Sequence, residues 1–320
     1  MNTSSISAEI GFVVDAGPGL GYGHAVRCIR LARSLALQNR VVFYPLSGAC
    51  REFIESSGFV TLQMPTPLPK PAAQQVFPPL VITDLREPHG ITAAIHRNRS
   101  RHISIHDLGL AQCHSDVAID GSITRLFPYP VRKARYVFLG PQYMITRPTV
   151  LREKPGNTVL VTFGGGSTAR LASGISEQLL KLGLNPIPTR GFGGSSTLSE
   201  AEFAKAMSSC CFAISGSGVT LYDLLASGVP TIAVAFDRIQ LRTADAFHEM
   251  GAVVNAGLLD RLSPSPVLRH CSEMLENRAL VQRITRAGKM LVDGKGLSRV
   301  VEIVRRQLWL SSQEKTFPAC

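Results

Sequence analysis

Two parallel α/β domains facing each other across a cleft are what the sequence predicts, and three observations carry that prediction. Short β-branched runs alternate with helical stretches from end to end, the pattern of parallel βαβ units. The rhythm breaks once, in the polar segment QYMITRPTVLREKPGN (142–157) with its Pro148 and Pro155. Each half also carries a glycine-rich turn between a strand and a helix. A chain of 320 residues has room for two domains of roughly 150 residues each. The expected division is therefore 1–146, binding a sugar or acceptor, and 147–320, binding a nucleotide and ending in a closing helix.

In the first half, GFVV (11–14), VVFYP (41–45), LVITD (80–84), HISIHD (102–107) and VFLGP (137–141) read as strands. Between the first two, His24–Leu37 reads as a helix with Val26, Ile29, Ala32, Leu35 and Ala36 on one stripe. Five prolines in 63–78 make that stretch an irregular loop. The basic run HRNRSRH (96–102) reads most simply as a solvated loop. The second half offers strands at 158–166, 184–189, 210–215, 230–236 and 252–257. Helices are expected at about 168–182, 199–207, 219–227 and 241–250. Leu297–Leu310, with Val300, Val301, Ile303 and Val304, reads as the closing helix.

Composition narrows the class. With 45% hydrophobic and 18% charged residues the chain is an ordinary globular one, neither disordered nor fibrous. The N-terminus MNTSSISAEI lacks the basic and apolar segments of a signal peptide, and no apolar run nears the ~20 residues that span a bilayer. Seven cysteines show no C-x-x-C, so reduced thiols in a cytoplasmic protein are expected. The pairs His106–Asp107 and Cys113–His114 lack ligand spacing, so neither a metal nor another cofactor is expected. A net charge of +11 calls for an anionic partner. No zinc finger, RNA-recognition signature or basic helix points to nucleic acid. A phosphorylated substrate, or peripheral contact with an anionic membrane, fits that charge.

GPGLGYGHAVRC (17–28) supplies bare backbone at the start of a helix, where unpaired N–H groups and the dipole favour an anion. It is not a dinucleotide fingerprint, since Val26 stands where a third glycine would be needed from Gly21, and no G-K-[ST] follows. His24 falls in the first turn, where the positive dipole end disfavours an imidazolium; a neutral ring accepts a proton as a general base must. A histidine packing at the turn is the bland alternative. Arg27, one turn on, faces the same side and is placed to hold an anionic substrate or a carboxylate such as Asp15. Asp84, His106 and Asp107 lie at strand ends, where ligands of parallel sheets bind, although helix capping suits Asp84 and Asp107 somewhat better. Asp15, Gly21, Gly23, Arg27, Asp84 and Asp107 thus form the expected substrate site around a catalytic His24.

In the second half FGGG (163–166) and SGSGVTLYDLLASGVP (215–230) each follow a strand. Small residues and hydroxyls from Ser215 to Thr220 open a helix and suit phosphates; Asp223 comes one turn later, where a carboxylate takes two ribose hydroxyls.

GLGYGHAVRC (19–28) resembles the G-x-G-H-x-x-R-C motif of the nucleotide-sugar hydrolase of pseudaminic acid biosynthesis and its spore-coat relatives. GPQYMITRPTV (140–150), VTFGGGS (161–167), SGSGVTLYDLLASGVP and DGKGLSRVV (293–301) resemble that family's later segments, so the resemblance spans nearly the whole chain. It implies the two-Rossmann-domain glycosyltransferase (GT-B) fold. The implied reaction is metal-free hydrolysis of a UDP-linked acetamido deoxy sugar with inversion, serving nonulosonic acid or surface polysaccharide synthesis. His24 becomes the base. Gly164, Gly165, Ser215, Ser217, Gly218, Val219, Thr220, Asp223 and Gln240 become the nucleotide site, with Asp223 replacing the family's glutamate on the ribose. Two positions depart from the family: Val13 where it has arginine, and Ile239 where it has asparagine before Gln240. They leave two other readings open, a transferase passing the sugar to a lipid or glycan acceptor and a non-catalytic nucleotide-sugar-binding protein.

Overall fold

The computed structural model describes residues 8–64, 77–86, 90–106, 114–124, 134–163, 169–189, 198–258 and 265–316. The chain divides into two compact units, Met1–Ile145 with Gly296–Cys320, and Thr146–Lys295.

The first unit begins β1 (Glu9–Val14), α1 (Gly23–Leu35), β2 (Arg40–Pro45), α2 (Gly48–Ser56) and β3 (Leu80–Asp84). It continues with α3 (Ile91–Arg97), β4 (Arg101–His106), β5 (Ser115–Asp120) and β6 (Ala134–Leu139). All six strands are parallel, in the order β2-β1-β3-β4-β5-β6. Burial on both faces explains the unbroken apolar reading of β1 and β3: Phe12 and Ile82 enter one cluster with α1, Val13 and Val81 another with Tyr44 and Ile95. The register Val14↔Asp84 puts the last residues of β1 and β3 side by side, directly below the turn that opens α1.

The second unit begins β7 (Thr158–Thr162), α4 (Ala169–Lys181), β8 (Asn185–Thr189), α5 (Glu200–Ser209), β9 (Phe212–Gly216) and α6 (Val219–Ala226). It ends β10 (Thr231–Ala235), α7 (Arg238–Glu249), β11 (Val254–Leu258), α8 (Ser265–Glu276) and α9 (Arg278–Leu291). Its five parallel strands run β11-β10-β9-β7-β8. Pro186 and Pro188 lie on β8, an edge strand, where a missing N–H disrupts no central ladder.

Three differences from the sequence reading bear on the packing. The expected closing helix of residues 147–320, α10 (Gly296–Thr316), belongs to the first unit: Val300, Val301 and Val304 are buried with Ile29 and Leu31 of α1. Arg101 anchors it further by donating from Nη1 to Gln307 Oε1 at 3.0 Å. Its approach requires glycine, because a Cβ on Gly296 would lie 2.0 Å from the Met144 carbonyl oxygen. Secondly, β5 is a buried strand that SDVAID, with polar residues at both ends, did not announce. Thirdly, the basic run 96–102 is no loop. It spans the end of α3, a turn with Arg99 at φ 57°, and the start of β4, where His102 is fully buried.

Candidate active site

The glycine turn closes on itself. Gly17 N–H donates to the Gly21 carbonyl (3.2 Å), Gly21 N–H donates back (2.7 Å), and Gly21 sits at φ +80°, which a residue with a Cβ rarely adopts. No side chain caps α1 at Tyr22, and its first turn holds no acidic residue, so the end of the helix keeps its positive character.

His24, Arg27 and Cys28 project from this first stretch of α1 onto one carboxylate, Asp84 at the end of β3. His24 Nδ1 lies 2.6 Å from Asp84 Oδ1. Arg27 grips both oxygens, Nε to Oδ2 at 2.5 Å and Nη2 to Oδ1 at 2.7 Å, and the Cys28 thiol points at Oδ2 from 3.7 Å. The Asp84 and Arg27 side chains are 0% and 1% exposed, whereas His24 keeps 12%. Burial pushes the Asp84 carboxyl up, but the Arg27 guanidinium and then His24 outweigh it and hold it well below the usual carboxylate range. An ionised Asp84 only accepts, so the proton on the short contact belongs to Nδ1. The Arg27 Nη2 atom 3.0 Å from Nδ1 is then a close neighbour rather than a donor to it. In the neutral ring this fixes the lone pair on Nε2, the histidine–carboxylate arrangement of an oriented general base.

The expected substrate residues accordingly take different parts. Asp84 is the buried partner of His24, not an open ligand for sugar hydroxyls, because its oxygens face the interior. Arg27 is spent on Asp84. Its other expected partner, Asp15, instead accepts from Ser47 Oγ (2.6 Å) and Ala16 N–H (2.9 Å). Gly21 and Gly23 line the turn, half-buried. Val13 is core, 0% exposed, packed with Val81 and Tyr44. Asp107, Gly164 and Gly165 lie outside the described residues.

In the second unit α6 starts at Gly218 with no side-chain cap; Gly218 is exposed and a Cβ there would meet nothing within 4 Å. Val219 and Thr220, half-buried, form its first turn. The serine hydroxyls are not presented as expected. Ser215 Oγ donates to the Gly216 carbonyl (2.9 Å) and Ser217 Oγ to that of Val234 (2.8 Å). Asp223 is not open to a ribose either. Its side chain is 0% exposed, and Arg147 holds both oxygens, the backbone N–H on Oδ1 (2.8 Å) and Nη1 on Oδ2 (2.5 Å). The same guanidinium bonds Glu200 through Nε (2.8 Å) and lies 4.5 Å over the Phe203 ring. Sequence reading missed Arg147; its tie to Asp223 spans 76 positions, and no local signal points across that gap. Gln240, in the first turn of α7, has a buried Oε1 with no hydrogen-bond partner among the described residues. Among the described residues no group of three or more His, Cys, Asp or Glu is placed to hold a metal ion. No helix among them is long and apolar enough to cross a membrane.

Two parallel sheets of six and five strands, with helices between the strands, define the fold as that of GT-B glycosyltransferases. Several solved structures match over almost the whole chain. They include MurG of Acinetobacter baumannii (TM-score 0.61, 14% identity, 93% of this chain and 99% of that one). Glycosyltransferase VinC in complex with DTDP gives 0.62, 13%, 95% and 100%. The MnaA–UDP co-structure from S. aureus gives 0.62, 11%, 95% and 97%. In sequence, the chain is a homologue of the spore coat polysaccharide biosynthesis protein SpsG of Bacillus subtilis (strain 168), 24% identical over 345 aligned positions that take in 93% of this chain and 98% of that protein. No protein-family model matches the chain.

Proposed function

We propose that the chain is a nucleotide-sugar hydrolase in which His24 is the general base. Its substrate is a UDP-linked acetamido deoxy sugar destined for nonulosonic acid or surface polysaccharide. Water attacks the anomeric carbon while its proton passes to His24 Nε2. The bond from that carbon to the diphosphate oxygen breaks, the electron pair leaves with UDP, and the configuration inverts. The observation that carries this reading is the 2.6 Å contact between His24 Nδ1 and an ionised, fully buried Asp84. It leaves the base nitrogen on the most exposed member of the cluster. The uncapped start of α6, the open Gly218 and the unsatisfied Gln240 Oε1 support nucleotide binding by the second unit. A transferase is the second reading, favoured by the GT-B likeness to MurG and VinC. Chemically only the nucleophile changes, from water to an acceptor hydroxyl.

The test is UDP release from UDP-linked acetamido sugars with no acceptor present. Release by the wild type and its loss in His24→Ala supports the hydrolase. Undiminished release in His24→Ala overturns the role of His24. Release that appears only when a lipid or glycan hydroxyl acceptor is added overturns hydrolysis in favour of transfer.

A further inference from the structure

We propose that Arg27 is a positioning residue for His24: it supplies the counter-charge to Asp84 and so leaves the His24–Asp84 pair one proton short, with Nε2 free to accept. The inference rests on the reading of His24 as a base and adds how that base is kept unloaded.

A buried carboxylate orients the imidazole beside it and also raises that ring's affinity for a proton, so a base of this kind needs something that keeps it unloaded at working pH. Where neither a further positive charge nor enough donors offset the buried carboxylate, the pair is drawn towards an extra proton, either as imidazolium against carboxylate or as neutral imidazole against carboxylic acid. In the first form Nε2 carries a proton; in the second Nδ1 accepts from the acid and the ring proton moves to Nε2. Both forms block the atom that must accept. Arg27 removes the need for that proton. Its guanidinium stays charged at any working pH, is itself 1% exposed, and occupies Oδ2 and Oδ1 in a two-pronged grip. Arginine, carboxylate and neutral imidazole together are electrically neutral inside the protein. The Arg27 Nη2 atom 3.0 Å from Nδ1 adds a direct repulsion against a second proton on the ring.

Among the described residues, no other charge beside Asp84 takes over this part. Cys28, also on α1, is pushed up by burial and by the Asp84 charge, so it faces Oδ2 as a neutral thiol. Cys50 of α2 is pushed up to about 12 by burial. Asp15, at the end of β1, is turned to Ser47 and could only add negative charge. The G-H-x-x-R-C spacing then has a reason: positions 24, 27 and 28 are the i, i+3 and i+4 places of one helix face, and all three converge on one carboxylate.

The experiment is nitrogen-15 histidine NMR of the unliganded full chain, with the His24 signals assigned by their loss in His24→Gln. Wild type is expected to show the proton on Nδ1 and a bare Nε2 at neutral pH. In Arg27→Met the His24–Asp84 pair is expected to hold its extra proton to higher pH, the midpoint moving up by about one unit or more, a tenfold rise in proton affinity. The acid limb of the UDP-release profile should move with it. Arg27→Lys keeps the counter-charge and is expected to titrate close to wild type, although it gives up the two-pronged grip. A proton on Nε2 in the wild type at neutral pH overturns the inference. So does an Arg27→Met midpoint equal to wild type, or equal displacements in the lysine and methionine variants, which is what a merely structural role predicts. If Arg27→Met does not fold, the wild-type tautomer and the Arg27→Lys midpoint still decide. The spectra need no substrate: the expected tautomer with no UDP release under any condition would sink the proposed function and leave this inference standing.

Discussion

Asp84→Asn is nearly isosteric, yet it should be among the most damaging single changes in the first unit. Four groups aim at the carboxylate: His24 Nδ1 and Arg27 Nη2 at Oδ1, and Arg27 Nε and the Cys28 thiol at Oδ2. An asparagine has one acceptor oxygen. If that oxygen faces Arg27 Nε, the new NH2 confronts Nη2 and the Nδ1 proton, and His24 must switch to the Nε2–H tautomer. If it faces His24 instead, the NH2 confronts Arg27 Nε. Either way the buried guanidinium loses the negative charge of Asp84. Breaking such a pair by removing one partner costs about 3–5 kcal/mol. In the proposed reaction, UDP release should drop by about 10⁴-fold, the scale for an imidazole left in the wrong tautomer. A urea titration followed by far-UV circular dichroism reads the loss of stability, since the chain's single tryptophan, Trp309 on α10, is 61% exposed and its emission shifts little on unfolding. An Asp84→Asn protein that unfolds within about 1 kcal/mol of wild type, well short of the loss of a buried pair, would refute the reasoning.

Two further outcomes test the packing. Burial first, and then His96, push the His102 imidazole down to about 4, while an unfolded histidine titrates near 6.5. Between those values the unfolded chain binds more protons, so stability should fall as pH drops from about 6.5 to 4, by about 3 kcal/mol. Asp84, with its depressed carboxyl, adds a loss of its own only below about pH 4. His102→Gln should flatten the upper step in urea midpoints measured at pH 7, 6 and 5, and a step of the same size in that variant would contradict the assignment. Gly296→Ala should destabilise the first unit by more than the ~1–3 kcal/mol usual for overpacking, since its Cβ would meet the Met144 backbone at 2.0, 2.7 and 2.9 Å. Gly156→Ala, with nothing within 4 Å, is the neutral control. Equal melting temperatures for the two variants would show that the crossing is looser than described.

The sequence by itself determined the parallel α/β architecture, because strands buried on both faces read as continuous β-branched runs whatever they pack against. It also determined that His24 opens a helix after a glycine turn, since four alternating glycines precede an apolar stripe at helical spacing from Val26 to Ala36. Only the tertiary structure decided what those residues meet. Asp84 is 60 positions from His24, and what joins them is the pairing of β3 beside β1. The same holds for Arg147 on Asp223 and for α10, whose apolar stripe looks alike whichever sheet it covers. A helix face or a strand is written in spacing; which carboxylate a buried arginine neutralises depends on which strands become neighbours. No local pattern records that choice.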